Sequence, residues 1–171
     1  MRTSAAPSEL LAAIRALADD AFDGAFTDDD WAHALGGWHA VVLGAGGPLA
    51  HAAVVPRVLE VEGRPLATGY VEAVATAPGL QGRGLGSAVV VQATALVRRR
   101  FALGALSTGR PGFYQRLGWE RWQGPTFVRL GSQLVRTEDD DDGLLVLRHG
   151  PHRRLDRCGA LSCDARPGDP W

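Results

Sequence analysis

The sequence predicts an α/β or α+β fold, a single sheet covered by helices. Three observations predict it. Helix-period and strand-period stretches follow one another in the order αα–βββ–α–β–α–βββ, without repeats or a linker. The chain has 171 residues, close to one typical domain and too short for two ordinary ones. Hydrophobic residues make up 46% and charged residues 22%, ordinary values for a chain that buries its own core. Residues 1–171 therefore read as a single domain.

The first helix reads over 8–22, where Leu10, Ile14, Leu17, Ala18 and Ala21 recur on one face and Ser8 can cap the start after Pro7. A second, short helix starts at Thr27. Thr27 with Asp30 fits a capping box, and Gly36-Gly37 ends it. His39–Leu43 and Leu49–Val61 are β-rich runs around Ala45-Gly46-Gly47, which reads as a hairpin. Glu62-Gly63-Arg64 makes the next turn, and Ala67–Thr76 is a third strand. Val89-Val90-Val91 alone is compatible with a strand. The length of the stretch up to Arg100 argues for a helix, and its basic end suits the negative pole of a helix dipole. Gly104–Thr108 reads as a buried strand and Gly112–Leu117 as a short helix. Trp119–Trp122, Thr126–Leu130 and Leu144–Leu147 complete the strands.

Charge narrows the function classes. The net charge is -1, which argues against a nucleic-acid binder working through a broad basic surface. All eighteen basic residues are Arg, so a Walker-type phosphate loop and Schiff-base chemistry, which need Lys, are excluded. Cys158 and Cys163 form a C-x4-C without a second pair, a poor zinc signature, and read as reduced thiols. No apolar run approaches the roughly 20 residues of a membrane span. Glu9, Arg15 and Asp19 interrupt the N-terminal apolar stretch, so the expected location is cytoplasmic. Acids cluster between Asp19 and Asp30 and again from Glu138 to Asp142. Such segregated charge fits a protein that binds a cation on one side and an anion on another.

The strongest local signal is the strand–glycine loop–helix unit from Gly69 to Arg100. Gln81-x-x-Gly84-x-Gly86 places small residues where backbone can approach a ligand closely. Free N–H groups at a helix start make an anion site, and Arg83 adds a charged donor. The loop reads as a phosphate or pyrophosphate cradle. It is not a dinucleotide fingerprint, because Gly82, Gly84 and Gly86 run G-x-G-x-G and no acid follows about twenty positions on. Upstream, Glu72 sits mid-strand among apolar neighbours. Period-2 alternation puts it on one face with Tyr70, Val74 and Thr76. A buried carboxylate needs a partner or a task, and general-base work is such a task.

Gln81-Gly82-Arg83-Gly84-Leu85-Gly86 resembles the Q/R-x-x-G-x-G/A segment of the GCN5-related N-acetyltransferases, whose amides bind the pyrophosphate of acetyl-CoA. Over nearly the whole chain the likeness is to the aminoglycoside 2'-N-acetyltransferases of that superfamily. The matching stretches include Phe26-Thr27 to Asp30-Trp31, Leu35-Gly36-Gly37, Ala50-His51-Ala52-Ala53-Val54 and Gly69-Tyr70-Val71-Glu72. They continue with Leu103-Gly104-Ala105-Leu106-Ser107, Gly124-Pro125-Thr126, Asp140-Asp141-Asp142-Gly143 and Gly168-Asp169-x-Trp171. The resemblance implies a mixed, mostly antiparallel sheet flanked by helices, acetyl-CoA as co-substrate, no metal and a homodimer. It makes Glu72 the general base and a backbone N–H near Val74 the donor to the thioester carbonyl. Tyr114 becomes the acid that returns a proton to the thiolate. Val74, Thr76, Gln81, Gly82, Arg83, Gly84, Leu85 and Gly86 then line the co-substrate. Acceptor contacts fall on Asp30, Glu72, Ser107, Asp141, Asp169 and the Trp171 carboxylate. Ala25 departs from the pattern where those enzymes carry an acid, and the segment between Ser107 and Tyr114 is about two residues shorter. The partners implied are a polycationic small molecule and acetyl-CoA, not nucleic acid or a membrane.

Overall fold

The computed structural model describes residues 1–171. Helices α1 (Ser8–Ala21), α2 (Asp28–Ala34), α3 (Leu85–Arg100) and α4 (Pro111–Gln115) lie where the periodicity predicts them. So do strands β1 (Trp38–Gly44), β2 (Gly47–Val61), β3 (Arg64–Thr76), β4 (Leu103–Ser107), β5 (Glu120–Arg121) and β6 (Thr126–Leu130). Two further strands were not predicted, β7 (Gln133–Arg136) and β9 (Leu161–Asp164), on either side of β8 (Leu144–Arg148). Both are only four residues long, too short for a clear period. The helix cap differs from expectation: α1 begins after Pro7 with no side-chain cap, so Ser8 is its first helical residue. The Thr27–Asp30 capping box forms in full.

The backbone divides into two compact units, 1–55 with 71–96, and 56–70 with 97–171. Strands β2 and β3 and helix α3 each give residues to both. In the first unit, β1 pairs antiparallel with the first part of β2 through the Ala45–Gly47 turn, as the hairpin signal requires. Leu17, Ala18, Phe26 and Ala75 form an apolar cluster, with Ala21, Trp31, Ala73 and Ala77 packed against it. The buried face of α1, Ile14, Leu17 and Ala18, is the face its sequence period selects.

In the second unit the strands run in the order β5-β8-β4-β3-β2-β9-β6-β7. The sheet is mixed. β3–β4 and β6–β9 pair parallel, and β4–β8, β5–β8, β2–β9 and β6–β7 antiparallel. β8 is buried along Leu144–Leu147, and β4 along Leu103–Leu106. This explains their unbroken apolar runs, because both faces are covered. Gly104 in β4 is fixed by close approach, since a Cβ there would sit 2.9 Å from Leu147 Cβ and 3.0 Å from the Trp119 ring. Arg148 grips Glu120 at both carboxylate oxygens, 2.7 and 2.8 Å, and ties β5 to β8.

Candidate functional site

In the first unit the glycine loop delivers what its sequence promises. Gly79, Gly82 and Gly84 all take left-handed φ angles of 77°, 76° and 83°. No heavy atom lies within 4 Å of a Cβ built on any of them, so the backbone of the loop is open to close approach by a ligand. Gln81 to Gly84 are exposed, and α3 starts at Leu85. The amides of its first turn have no carbonyl one turn earlier in the helix and face outward with the positive end of the dipole. An anion such as a pyrophosphate fits this cradle.

β3 carries Glu72, half-buried, between buried Val71 and partly buried Ala73. The strict alternation expected over Tyr70, Glu72, Val74 and Thr76 does not hold. Ala73 has φ 48°, a left-handed conformation in mid-strand, so the pleat breaks between Glu72 and Val74. The residues themselves give no warning, since Ala is not a bulge former. Such a conformation costs about 1 kcal/mol or more in a non-glycine residue and persists only where the surroundings impose it. Two contacts hold Ala73 here. Ala73 packs on the cluster of Leu17, Ala18, Phe26 and Ala75, and its carbonyl accepts a 2.8 Å hydrogen bond from His51 Nδ1.

Asp30 is engaged by the cap it completes. Its Oδ2 accepts 2.8 Å bonds from the Thr27 N–H and the Thr27 hydroxyl.

In the second unit a cavity of about 400 Å³ is lined by Ser107, Thr108, Gly109, Pro111, Arg121, Asp139, Asp140, Asp142 and Gly143. The register makes it. Ser107 ends β4 opposite Leu144, which starts β8, so the loop after β4 and the acidic turn before β8 meet at one end of the sheet. The Thr108 N–H to Gly143 carbonyl bond, 2.9 Å, joins them.

The acidic run does two jobs. Asp141 is clasped by Arg136, which donates to both of its oxygens, and it accepts from the Thr126 N–H and hydroxyl at 3.1 and 2.8 Å. The Arg136 bond, with Thr126, holds its carboxyl below the usual range. Asp140, one residue earlier, lines the cavity. Burial, and then the charge of Asp169, raise its carboxyl above the usual range. The resemblance marks Asp141 as the acceptor contact; in the structure Asp141 is bonded to Arg136 and Thr126, while its neighbour Asp140 lines the cavity.

The C-terminal segment is anchored. Trp171 is buried, its indole N–H bonds Thr137 Oγ1 at 3.1 Å, and its backbone N–H bonds Asp169 Oδ1 at 2.9 Å. Arg166 reaches the Asp169 and Trp171 oxygens at 2.9 and 3.3 Å, and stands over the Tyr70 ring with Arg57. Tyr114, in α4, is buried edge-on to Trp119, and burial pushes its phenol up to about 12. It stays protonated at neutral pH, as a proton donor must. Cys158 is exposed and Cys163 buried, both as free thiols.

The family model for the acetyltransferase (GNAT) domain matches residues 4–122. An aminoglycoside 2'-N-acetyltransferase of Mycolicibacterium fortuitum is 43% identical over 176 residues, covering 100% of this chain and 90% of that one. The chain belongs to the aminoglycoside 2'-N-acetyltransferase family of GNAT acetyltransferases. Among solved structures, the GNAT acetyltransferase YhbS of Escherichia coli in complex with CoA superposes with a TM-score of 0.67 at 18% identity, over 92% of this chain and 86% of that one. A GNAT acetyltransferase of Brucella melitensis in complex with acetyl-CoA gives 0.62 at 20% identity, over 91% and 90%. These two share the fold. The sequence reading of a GNAT fold with a mixed sheet therefore holds.

The His51 bond has a consequence for stability. Burial lowers His51 to about 4, against the bond to the Ala73 carbonyl, and lowers His39 as well. A histidine depressed in the fold binds its proton more readily when unfolded. Its contribution to stability is present above the unfolded value near 6.5 and is lost as pH falls toward 4. Unfolding free energy is expected to drop by about 2 kcal/mol between about pH 7.5 and about pH 5. Urea unfolding at both pH values measures it, and an unchanged midpoint refutes the assignment.

Proposed function

We propose that this protein acetylates the 2'-amine of aminoglycoside antibiotics with acetyl-CoA, by direct transfer in a ternary complex. One observation carries the reading, the 43% identity to an aminoglycoside 2'-N-acetyltransferase across the full chain. The acid-lined cavity at Ser107 and Asp140 supports it, because an acceptor bearing several ammonium groups needs such a wall. We read 1–171 as one cytoplasmic acetyltransferase domain, homodimeric as the family resemblance implies.

Acetyl-CoA supplies the acetyl group as a thioester. Gln81, Gly82, Arg83, Gly84, Leu85 and Gly86 hold its pyrophosphate, and Val74 and Thr76 run beside it. Glu72 takes a proton from the acceptor ammonium, directly or through a water. The Val74 N–H meets the carbonyl oxygen as charge builds on it. The amine nitrogen bonds to the carbonyl carbon, the carbon–sulfur bond breaks, Tyr114 protonates the departing thiolate, and the second proton shed by the nitrogen as the amide forms restores the Tyr114 phenol through solvent. The acceptor contacts implied by the resemblance are Asp30, Glu72, Ser107, Asp141, Asp169 and the Trp171 carboxylate, and the cavity adds Asp140 to them. Amide formation removes one cation, and a drug with fewer cations binds RNA phosphates less well.

CoA release tests the reading. Tobramycin and gentamicin, with a 2'-amine, are expected to release CoA. Kanamycin A and amikacin, with a 2'-hydroxyl, are expected to release none. Release with neither pair, despite acetyl-CoA binding, would sink the acceptor assignment. Ala25, exposed where the family carries an acid, favours one alternative, transfer to another amino-sugar, amine or hydroxyl acceptor. A wider panel of amines and alcohols in the same assay separates the two.

A further inference from the structure

The first unit contains a buried polar chain that the reaction above does not use. His39 Nδ1 and His51 Nε2 are 2.9 Å apart, and both rings are buried. His51 Nδ1 lies 2.8 Å from the Ala73 carbonyl, and His39 Nε2 lies 2.8 Å from the Thr3 hydroxyl. The backbone of His39 is held in turn, its carbonyl accepting from the Met1 ammonium at 2.9 Å.

The carbonyl fixes the direction of every bond. Ala73 O can only accept, so His51 Nδ1 carries the proton. In neutral His51, Nε2 then accepts from His39 Nδ1–H, and His39 Nε2 accepts from the Thr3 hydroxyl. The groups charged or titratable around the chain are the Met1 ammonium, which disfavours charge on His39, and the two rings themselves. The chain ends on the one left-handed residue of β3, and Ala73 lies between the proposed base and the proposed amide donor.

We propose that His51 is a positioning residue for acyl transfer, holding the Ala73 carbonyl so that Glu72 and Val74 flank a fixed left-handed residue, with His39 and Thr3 setting its tautomer. A backbone carbonyl left unpaired away from water is costly. His51 removes that cost only while Ala73 stays left-handed. The inference rests on the roles given above to Glu72 and Val74. Small displacements at a reacting centre are expensive in rate, so the effect falls on kcat.

The test uses the full chain and acetyl-CoA with tobramycin. His51→Leu keeps the bulk and removes the donor. His51→Asn keeps an N–H near the Nδ1 position. In His51→Leu, kcat is expected to fall about tenfold or more with acetyl-CoA affinity within about twofold, and His51→Asn to regain most of it. The backbone chemical shifts of Ala73 are expected to leave the left-handed range in the Leu variant alone. Equal losses in both variants, or an Ala73 that stays left-handed at full kcat, overturn the proposal. If the Leu variant does not fold, the imidazole nitrogen shifts of the wild-type protein decide. They are expected to show Nδ1 protonated and Nε2 bare at His51, and the opposite tautomer overturns it. Failure of the underlying reading looks different: Glu72→Gln then retains turnover whatever the state of Ala73.

Discussion

Glu72→Gln is expected to lower kcat by about 10²–10³-fold while acetyl-CoA affinity stays within about twofold. That loss equals about 3–4 kcal/mol of barrier. Gln matches Glu in shape and keeps an acceptor oxygen, so the half-buried position in β3 tolerates it. What it loses is basicity. An alkyl ammonium has no lone pair with which to attack a carbonyl, and at neutral pH most of an acceptor amine is in that form. A base at the reaction site removes the proton as attack proceeds, and without it only the small free-amine fraction reacts. The variant's rate should therefore climb with pH as the amine deprotonates in solution. Steady-state rates from about pH 6 to about pH 9 read that rise. Full turnover across that range would remove Glu72 from acid–base chemistry.

How much of this was legible depended on whether a signal was local. The α1 stripe, the Thr27–Asp30 box and the Ala45–Gly47 turn are written within a few residues of one another, and all three formed. So did the glycine loop, because left-handed φ is a property glycine supplies alone. The left-handed residue Ala73 was not legible. The donor to its carbonyl is a histidine 22 residues earlier in sequence, and the strand reads as regular until that side chain is placed. Ala50-His51-Ala52-Ala53-Val54 carries a family likeness in sequence, but nothing local shows which carbonyl its histidine meets. The acidic run was ambiguous for a different reason. Five consecutive acids share one local signal, and only Arg136 and Thr126, reached through β6 and β7, tell Asp141 from Asp140.

Asp140→Asn combined with Asp169→Asn is expected to raise KM for a 2'-amino aminoglycoside about tenfold to fiftyfold, with kcat within about threefold. Asp140 is the partly buried acid of the cavity, and the charge of Asp169 is among the causes that keep its carboxyl above the usual range. Two like charges held close are strained until a cation sits against them. An arriving ammonium relieves both the burial cost and the repulsion, so the pair binds a polycation better than two separate surface acids. Removing one acid also relieves the other, so the single variants are expected to add up to something other than the double. Asn at position 169 retains an oxygen for the Trp171 N–H, which keeps the anchored tail in place. KM should rise with salt in the wild type and much less in the double variant, because screening has less attraction left to weaken. Asp141→Asn supplies the contrast. It abandons the Arg136 clasp, so thermal stability should fall while acceptor KM moves less. The reverse pattern, with Asp141 controlling KM and Asp140 neutral, would return the acceptor contact to the residue that the sequence first marked.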